Sequence, residues 1–479
     1  MRTTGRGPHQ ARSIRLSLCS NRNDWKTVVA MVMRPAAVTD SEPASWHPAR
    51  DGRLPPSAAD DSQIHEAARF VISPDGHADD ARLQAAFKLL RAEAPVFWVD
   101  TPGMRPFWLL SRYNDISAVE RRGAPFIAAP RTFLTSKKTE ERLERMFGKP
   151  YVIRGLLQLD DVEHAAYRAV AQPSLTPAAL AAMEPWLETW ADHIVSRIAG
   201  RSDAFDFTRE IAVPFSIRGI MRLLGLPEAD DDLILKLSWG LTGPEDPVRR
   251  LADHPTTAIC RAGFGFQAYF DPVAADRRAC PRHDLSSVIA IAKVQGEAMP
   301  DYERFSYYAM IATGGHDTIA FALSGGMHAL IEHPEQLARL RADPSLIDTA
   351  IEEMLRWTTP GRHIMRTATE DVELGGQTIR AGEAVALFFN SANRDETVFA
   401  DADQFQIDRR PNPHLAFGVG RHHCIGAHMA RLEMRPLLKT LLPRLESVEL
   451  VAPPRRTCST MVSGISSLSI RCDWRAPDL

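Results

Sequence analysis

The chain has 479 residues, of which 44% are hydrophobic and 24% charged, which is ordinary globular usage. Its 57 Lys and Arg against 60 Asp and Glu leave a formal net charge of −3, so no global electrostatic pull toward nucleic acid or an anionic membrane exists. No apolar run approaches the roughly 18–20 residues of a membrane-spanning helix. A soluble protein with neither nucleic-acid nor membrane partners is therefore expected. The six cysteines include no Cys-x-x-Cys pair, and no Asn-x-Ser/Thr acceptor is present, which favours a reducing cytoplasm over a disulfide scaffold.

The N-terminal segment differs from the rest. Arg2, Arg6, Arg12, Arg15, Arg22, Lys26 and Arg34 face a single acid, Asp24, a transit-peptide-like balance without a secretory apolar core. The simpler readings are a disordered tail, or a start placed too early with Met31 or Met33 as the true one. A Pro/Ala/Asp/Ser stretch from Pro43 to Ser62 reads as linker. Residues 1–62 are thus assigned to tail and linker, and residues 67–479 to one large domain.

Within that domain, Leu83, Ala86, Phe87 and Leu90 predict a helix over Asp79–Ala92. Strands are predicted at Val96–Val99 and Phe107–Leu110, and Asn114 is expected to cap the next helix. Long helical segments fill the middle of the chain. Asp230-Asp231-Asp232 reads as a solvated loop or helix start. Gly263-Phe264-Gly265 matches a dinucleotide-binding pattern only loosely, because no strand precedes it. Toward the C-terminus, Val372–Leu374, a Gly375-Gly376 turn, Thr378–Ile379 and Val385–Phe389 predict a small β region. The fold class is mainly α with a minor sheet.

Three segments carry chemistry. Ile311 to Thr318 lies in an apolar helical run from about Tyr302 to Ile331, where Gly314 and Gly315 each cost about 1 kcal/mol against alanine. Gly314 and Thr318 are one turn apart on one face, and Asp317 projects elsewhere. Glu353 and Arg356 share a face of the helical run Leu346–Trp357 and can pair. The segment Phe417-Gly418-Val419-Gly420-Arg421-His422-His423-Cys424-Ile425-Gly426 sets three glycines around a cysteine just before a helix. Backbone N–H groups there stabilise a thiolate, the form in which cysteine ligates haem iron. A zinc site from His422, His423 and Cys424 would lack an evident fourth ligand.

This last segment resembles the haem-binding loop of the cytochrome P450 family, Phe-x-x-Gly-x-His/Arg-x-Cys-x-Gly, at every fixed position. The resemblance implies a single-domain P450 fold, with Cys424 as axial ligand of haem b and Phe417, Gly418 and Gly426 shaping its loop. It also implies that Glu353, Arg356 and Arg409 form a structural triad. His164, Arg168, Arg366 and His422 would meet the haem propionates. Asp317 and Thr318 would be the catalytic acid–alcohol pair, with Asp317 relaying protons from solvent, beside a Gly314 that opens a groove for O₂. Pro436, inside the helix after Cys424, is expected to kink or end it.

By the same resemblance the reaction is insertion of one oxygen atom of O₂ into a C–H bond. Electrons would come from NAD(P)H through a separate ferredoxin or flavodoxin and its reductase. Arg421, Arg431, Arg435 and Lys439, beside acids such as Glu433, are the expected docking cluster. The motif Thr313 to Thr318 looks similar to the bacterial branch acting on monoterpenoids and alkyl aromatics, with Thr313, Thr359 and His363 as candidate hydrogen-bond donors to substrate. A sterol or polyketide hydroxylase, a peroxide-driven oxygenase and a haem-thiolate sensor are the alternatives.

Overall fold

The computed structural model describes residues 61–123 and 125–475; the basic tail and most of the expected linker lie outside them. The first helix, Asp61–Val71, starts inside the stretch expected to be linker, because Ile64, Ala67, Ala68 and Val71 form a buried stripe. The helix predicted next spans Asp80–Glu93, and the Asp79 side chain caps it by accepting from the Arg82 N–H at 3.1 Å. Asn114 is not a cap: the helix Tyr113–Arg122 opens one residue earlier, and Asp395 accepts from the Tyr113 N–H at 2.8 Å. A distant carboxylate replaces the local side chain there, a substitution the local sequence cannot reveal.

Strands Val96–Val99 and Phe107–Leu110 form as predicted, pairing Trp98 with Trp108. They extend into a five-stranded sheet in the order Val96–Val99, Phe107–Leu110, Ala384–Phe388, His363–Ala368, Phe126–Ile127. Phe107–Leu110 and Ala384–Phe388 run parallel, and the other neighbours antiparallel. The Gly375-Gly376 hairpin joins Val372–Leu374 to Gln377–Ile379, with both glycines at positive φ as its tight turn requires. Gly263 and Gly265 lie within the helix Pro255–Ala279, so the dinucleotide reading fails in structure as in sequence.

The expected oxygen-site helix is two helices, Asp301–Gly314 and Asp317–Glu332, interrupted at Gly315 and His316. The interruption coincides with a boundary in the core. Tyr307, Tyr308, Ile311 and Ala312 pack with Ile220, Phe266 and Phe270, whereas Ile319, Leu323 and Leu330 pack with Met354, Leu355 and Leu437. Each half is therefore held by its own apolar cluster.

The helix Ala427–Leu441 continues through Pro436, so of the two outcomes expected there, a kink or an end, the helix does not end. Pro436, Leu437, Leu438 and Leu441 are all buried. Their burial, at roughly 1.5–3 kcal/mol per large apolar side chain, offsets the hydrogen bond that proline forgoes.

Candidate active site

The loop before that helix is built by backbone constraints. Gly418 and Gly420 adopt φ of 65° and 75°, and a Cβ on Gly420 would come within 2.5 Å of the Glu120 carbonyl oxygen. Phe417 is fixed from both sides, with the Arg431 guanidinium 4.6 Å from its ring centre and its carbonyl accepting from the Cys424 N–H at 2.8 Å. Gly426 takes the N-cap position at φ −90°. Cys424 is exposed, yet surrounding protein desolvates its sulfur and pushes the thiol up; the Gly426 N–H, Arg168 and Arg431 pull the other way.

Four cationic or imidazole side chains gather beside it. The His164 and His422 rings lie 4.3 Å apart. Burial, then Arg366, His164, Arg421 and Arg168, drive the His422 imidazole down to about 2. Burial and then Arg168 likewise lower His164, whose buried Nε2 has no hydrogen-bond partner among the described residues. Arg366 is buried, with Nη2 only 2.9 Å from the Glu120 carboxylate. Burial raises Glu120 while Arg366 opposes that rise. Sequence reasoning missed Glu120: its helix, Tyr113–Arg122, carries no motif, and only the tertiary fold slides it beneath the glycine loop.

Behind the loop, the two Glu353 oxygens accept from Arg356 at 2.7 and 2.8 Å and from Arg409 at 3.1 and 3.2 Å. Arg356 also donates to the carbonyls of Asn393, Ala402 and Gln404, and Arg409 to those of Ala400, Asp401 and Gln404. Asn393 then receives the Leu415 N–H at 2.6 Å, tying the triad to the segment entering the glycine loop. The three charged groups predicted to converge do so.

At the helix interruption, the Thr318 hydroxyl donates to the Gly314 carbonyl at 3.2 Å. A Cβ on Gly314 would meet nothing within 4 Å, whereas one on Gly315 would strike Ile220 at 2.5 Å. Asp317 is 1% exposed and does not reach solvent as a direct relay would. Its carboxylate accepts from Trp239 at 3.1 Å, Thr242 at 3.4 Å and Arg249 at 3.2 Å, with His316 Nδ1 at 3.3 Å. Burial alone would raise this acid, but Arg249 and His316 hold it well below the usual carboxylate range. Trp239 and Arg249 were invisible to sequence reasoning because they lie some seventy positions upstream.

Two of the three candidate substrate donors are already committed. The Thr359 hydroxyl donates to the Arg356 carbonyl and accepts from Asn393. His363 accepts the Leu134 N–H at Nε2, which places its proton on Nδ1, toward the Thr460 carbonyl at 2.7 Å. Thr313 alone of the three keeps a buried hydroxyl without a partner among the described residues.

The cytochrome P450 family model matches residues 282–469. Cytochrome P450-terp from a Pseudomonas species is 36% identical over 413 residues, spanning 84% of this chain and 96% of that relative. The chain belongs to the cytochrome P450 family. A methyl-branched lipid omega-hydroxylase of Mycobacterium tuberculosis is 34% identical, over 82% of this P450 and 91% of the relative. The crystal structure of CYP108D1 from Novosphingobium aromaticivorans superposes with a TM-score of 0.79 at 35% identity, covering 86% of this chain and 99% of that one. This P450 is a monooxygenase, and its family implies a haem. The exposed Cys424 and the His164 nitrogen, unpartnered among the described residues and set within a cationic cluster, fit a flat iron macrocycle bearing two carboxylates.

The expected docking cluster is less cationic than its sequence suggests. Arg431 pairs bidentately with Glu352 at 2.6 and 2.7 Å, Arg435 with Asp348 at 2.7 Å, and Arg421 with Asp161. Glu433, expected on the same face, is fully buried. Among the described residues no helix is long and apolar enough to cross a membrane.

Proposed function

We propose that this P450 hydroxylates a small hydrophobic molecule carrying one oxygen, a terpenoid or alkyl aromatic, with electrons passed from NAD(P)H by a separate ferredoxin or flavodoxin and its reductase. The supporting observation is the Thr313 hydroxyl, which sits one residue before the open space at Gly314 and has no partner among the described residues. A buried hydroxyl favours a ligand that completes its hydrogen bond. The likeness to P450-terp supports the same size class.

In this reading Cys424 holds the iron, and His164, Arg168, Arg366 and His422 receive the propionates. When bound, the haem supplies dioxygen activation and transfer of one oxygen atom to carbon. The chain's own residues manage protons. Thr318 holds a water above Gly314, and Asp317 passes protons inward after loosening from Arg249. An acid held ionised by a guanidinium cannot give up a proton it does not hold, so exchange of the Arg249 contact for water is the controlling step.

The test is a Soret titration of haem-loaded protein with terpene alcohols, their parent hydrocarbons and sterols. Saturable high-spin shifts with the alcohols are expected, weakened about 3- to 10-fold in Thr313→Val, with the hydrocarbons unaffected by the substitution. A shift confined to sterols, or Thr313→Val binding the alcohols unchanged, would overturn the reading.

A further inference from the structure

A cavity of about 630 Å³, within the range of small-molecule sites, has Arg249 and Trp239 in its wall and none of the residues that surround Cys424. Four guanidinium groups line it: Arg209, Arg249, Arg455 and Arg456. Like charges gathered around one hollow repel unless neutralised. Three of them lean on acids outside the lining: Arg249 on Asp317 at 3.2 Å, Arg456 on Asp80 at 3.6 Å and Arg209 on Asp206 at 3.5 Å. Arg455 has no ion pair among the described residues.

The one carboxylate in the lining, Asp246, makes no ion pair with them among the described residues. Asp246 Oδ1 accepts the N–H groups of Val248 and Arg249 at 2.8 and 3.2 Å, and Oδ2 accepts that of Cys458 at 2.9 Å. Arg249 is the anchor of the cavity. It is buried, its guanidinium sits 4.8 Å from the Trp239 ring centre and 4.7 Å from that of Phe321, and only Nη1 is engaged with Asp317. Its remaining donors have no hydrogen bond among the described residues, and the side chain lines the hollow. The walls between the charges are apolar, formed by Val213, Leu235, Val248 and Pro454, with Val248 exposed at 56%.

We propose that this cavity is a binding site for a medium-chain alkyl carboxylate, with the head group on Arg249 and Arg455 and the chain against the apolar wall. The planar guanidinium fork matches a carboxylate bidentately, and the wall would be idle with an inorganic anion. The site stands apart from the substrate reading above and does not depend on it.

Calorimetric titration of haem-loaded protein with decanoate, decanol and inorganic phosphate, with the Soret band followed in parallel, tests this. Decanoate is expected to bind saturably without moving the Soret band, and decanol and phosphate at least about tenfold more weakly. Arg455→Ala, an exposed position whose loss spares the fold, should weaken decanoate about tenfold, and Val248→Asp at the mouth should weaken it further by repulsion. Decanol or phosphate binding as tightly, an absence of decanoate binding, a Soret shift that tracks the heat, or indifference to both variants would each overturn the proposal.

Discussion

Glu353 and Asp317 are both buried carboxylates facing arginine, and the difference between them separates scaffold from working part. Glu353 accepts from Arg356, Arg409, Gln406 and Asn412, and the arginines spend their remaining donors on backbone carbonyls. Its contacts lie between 2.7 and 3.2 Å. Asp317 is held at 3.1 to 3.4 Å, and its arginine lines a cavity and keeps donors without a hydrogen bond among the described residues. A closed network resists any change of partner, because each broken bond strands a buried charge. An arginine with access to water can trade partners at low cost. If Asp317 is the proton carrier proposed above, slack in the partner, rather than the presence of an ion pair, is what marks such an acid.

Four measurements would break or sharpen this contrast. The largest effect is expected for Glu353→Gln, which strands two guanidinium groups. It should cost about 3–5 kcal/mol in urea unfolding of the haem-loaded protein, and a loss below about 1 kcal/mol would mean that the network is not closed.

His363 belongs with the closed side, both ring nitrogens being committed. Burial holds it at about 4 instead of its ordinary 6.5, so the fold favours the neutral ring. That contribution is complete above the unfolded value and is lost as pH falls from 6.5 toward 4. The stability advantage of wild type over His363→Gln should shrink by about 3 kcal/mol over that window. A pH-independent difference would contradict the buried neutral imidazole.

Asp317→Asn should cost less than about 1.5 kcal/mol of stability, because Arg249 can hydrate through the cavity, yet slow product formation about 100-fold. A loss of stability matching that of Glu353→Gln would erase the distinction drawn between the two acids. The mildest pair concerns the helix interruption. Gly315→Ala should destabilise by about 1–3 kcal/mol through the clash with Ile220. Gly314→Ala should leave stability nearly unchanged while altering substrate spectra. Equal melting temperatures for the two would show that Ile220 yields freely.

Much of the site was legible because its chemistry is local. The glycine spacing around Cys424, the three-residue step from Glu353 to Arg356 and the one-turn step from Gly314 to Thr318 all depend on neighbours in the chain. The paired strands Val96–Val99 and Phe107–Leu110 were legible for the same reason, being short apolar runs bounded by turns. Partners contributed from far away were not. Glu120 under the glycine loop and Arg249 on Asp317 carry no signal in their own segments. The same limit explains why Thr359 and His363 looked free to meet substrate, and why Arg431 and Arg435 looked free to meet a redox partner.

The sequence by itself determined the family and which side chains share a face around the candidate site, since spacing along a helix or a turn translates directly into a shared face. Only the tertiary structure decided which of those groups remain available. Whether a donor is spent or free depends on what packs against it, and that neighbour is set by the burial of apolar surface from distant parts of the chain.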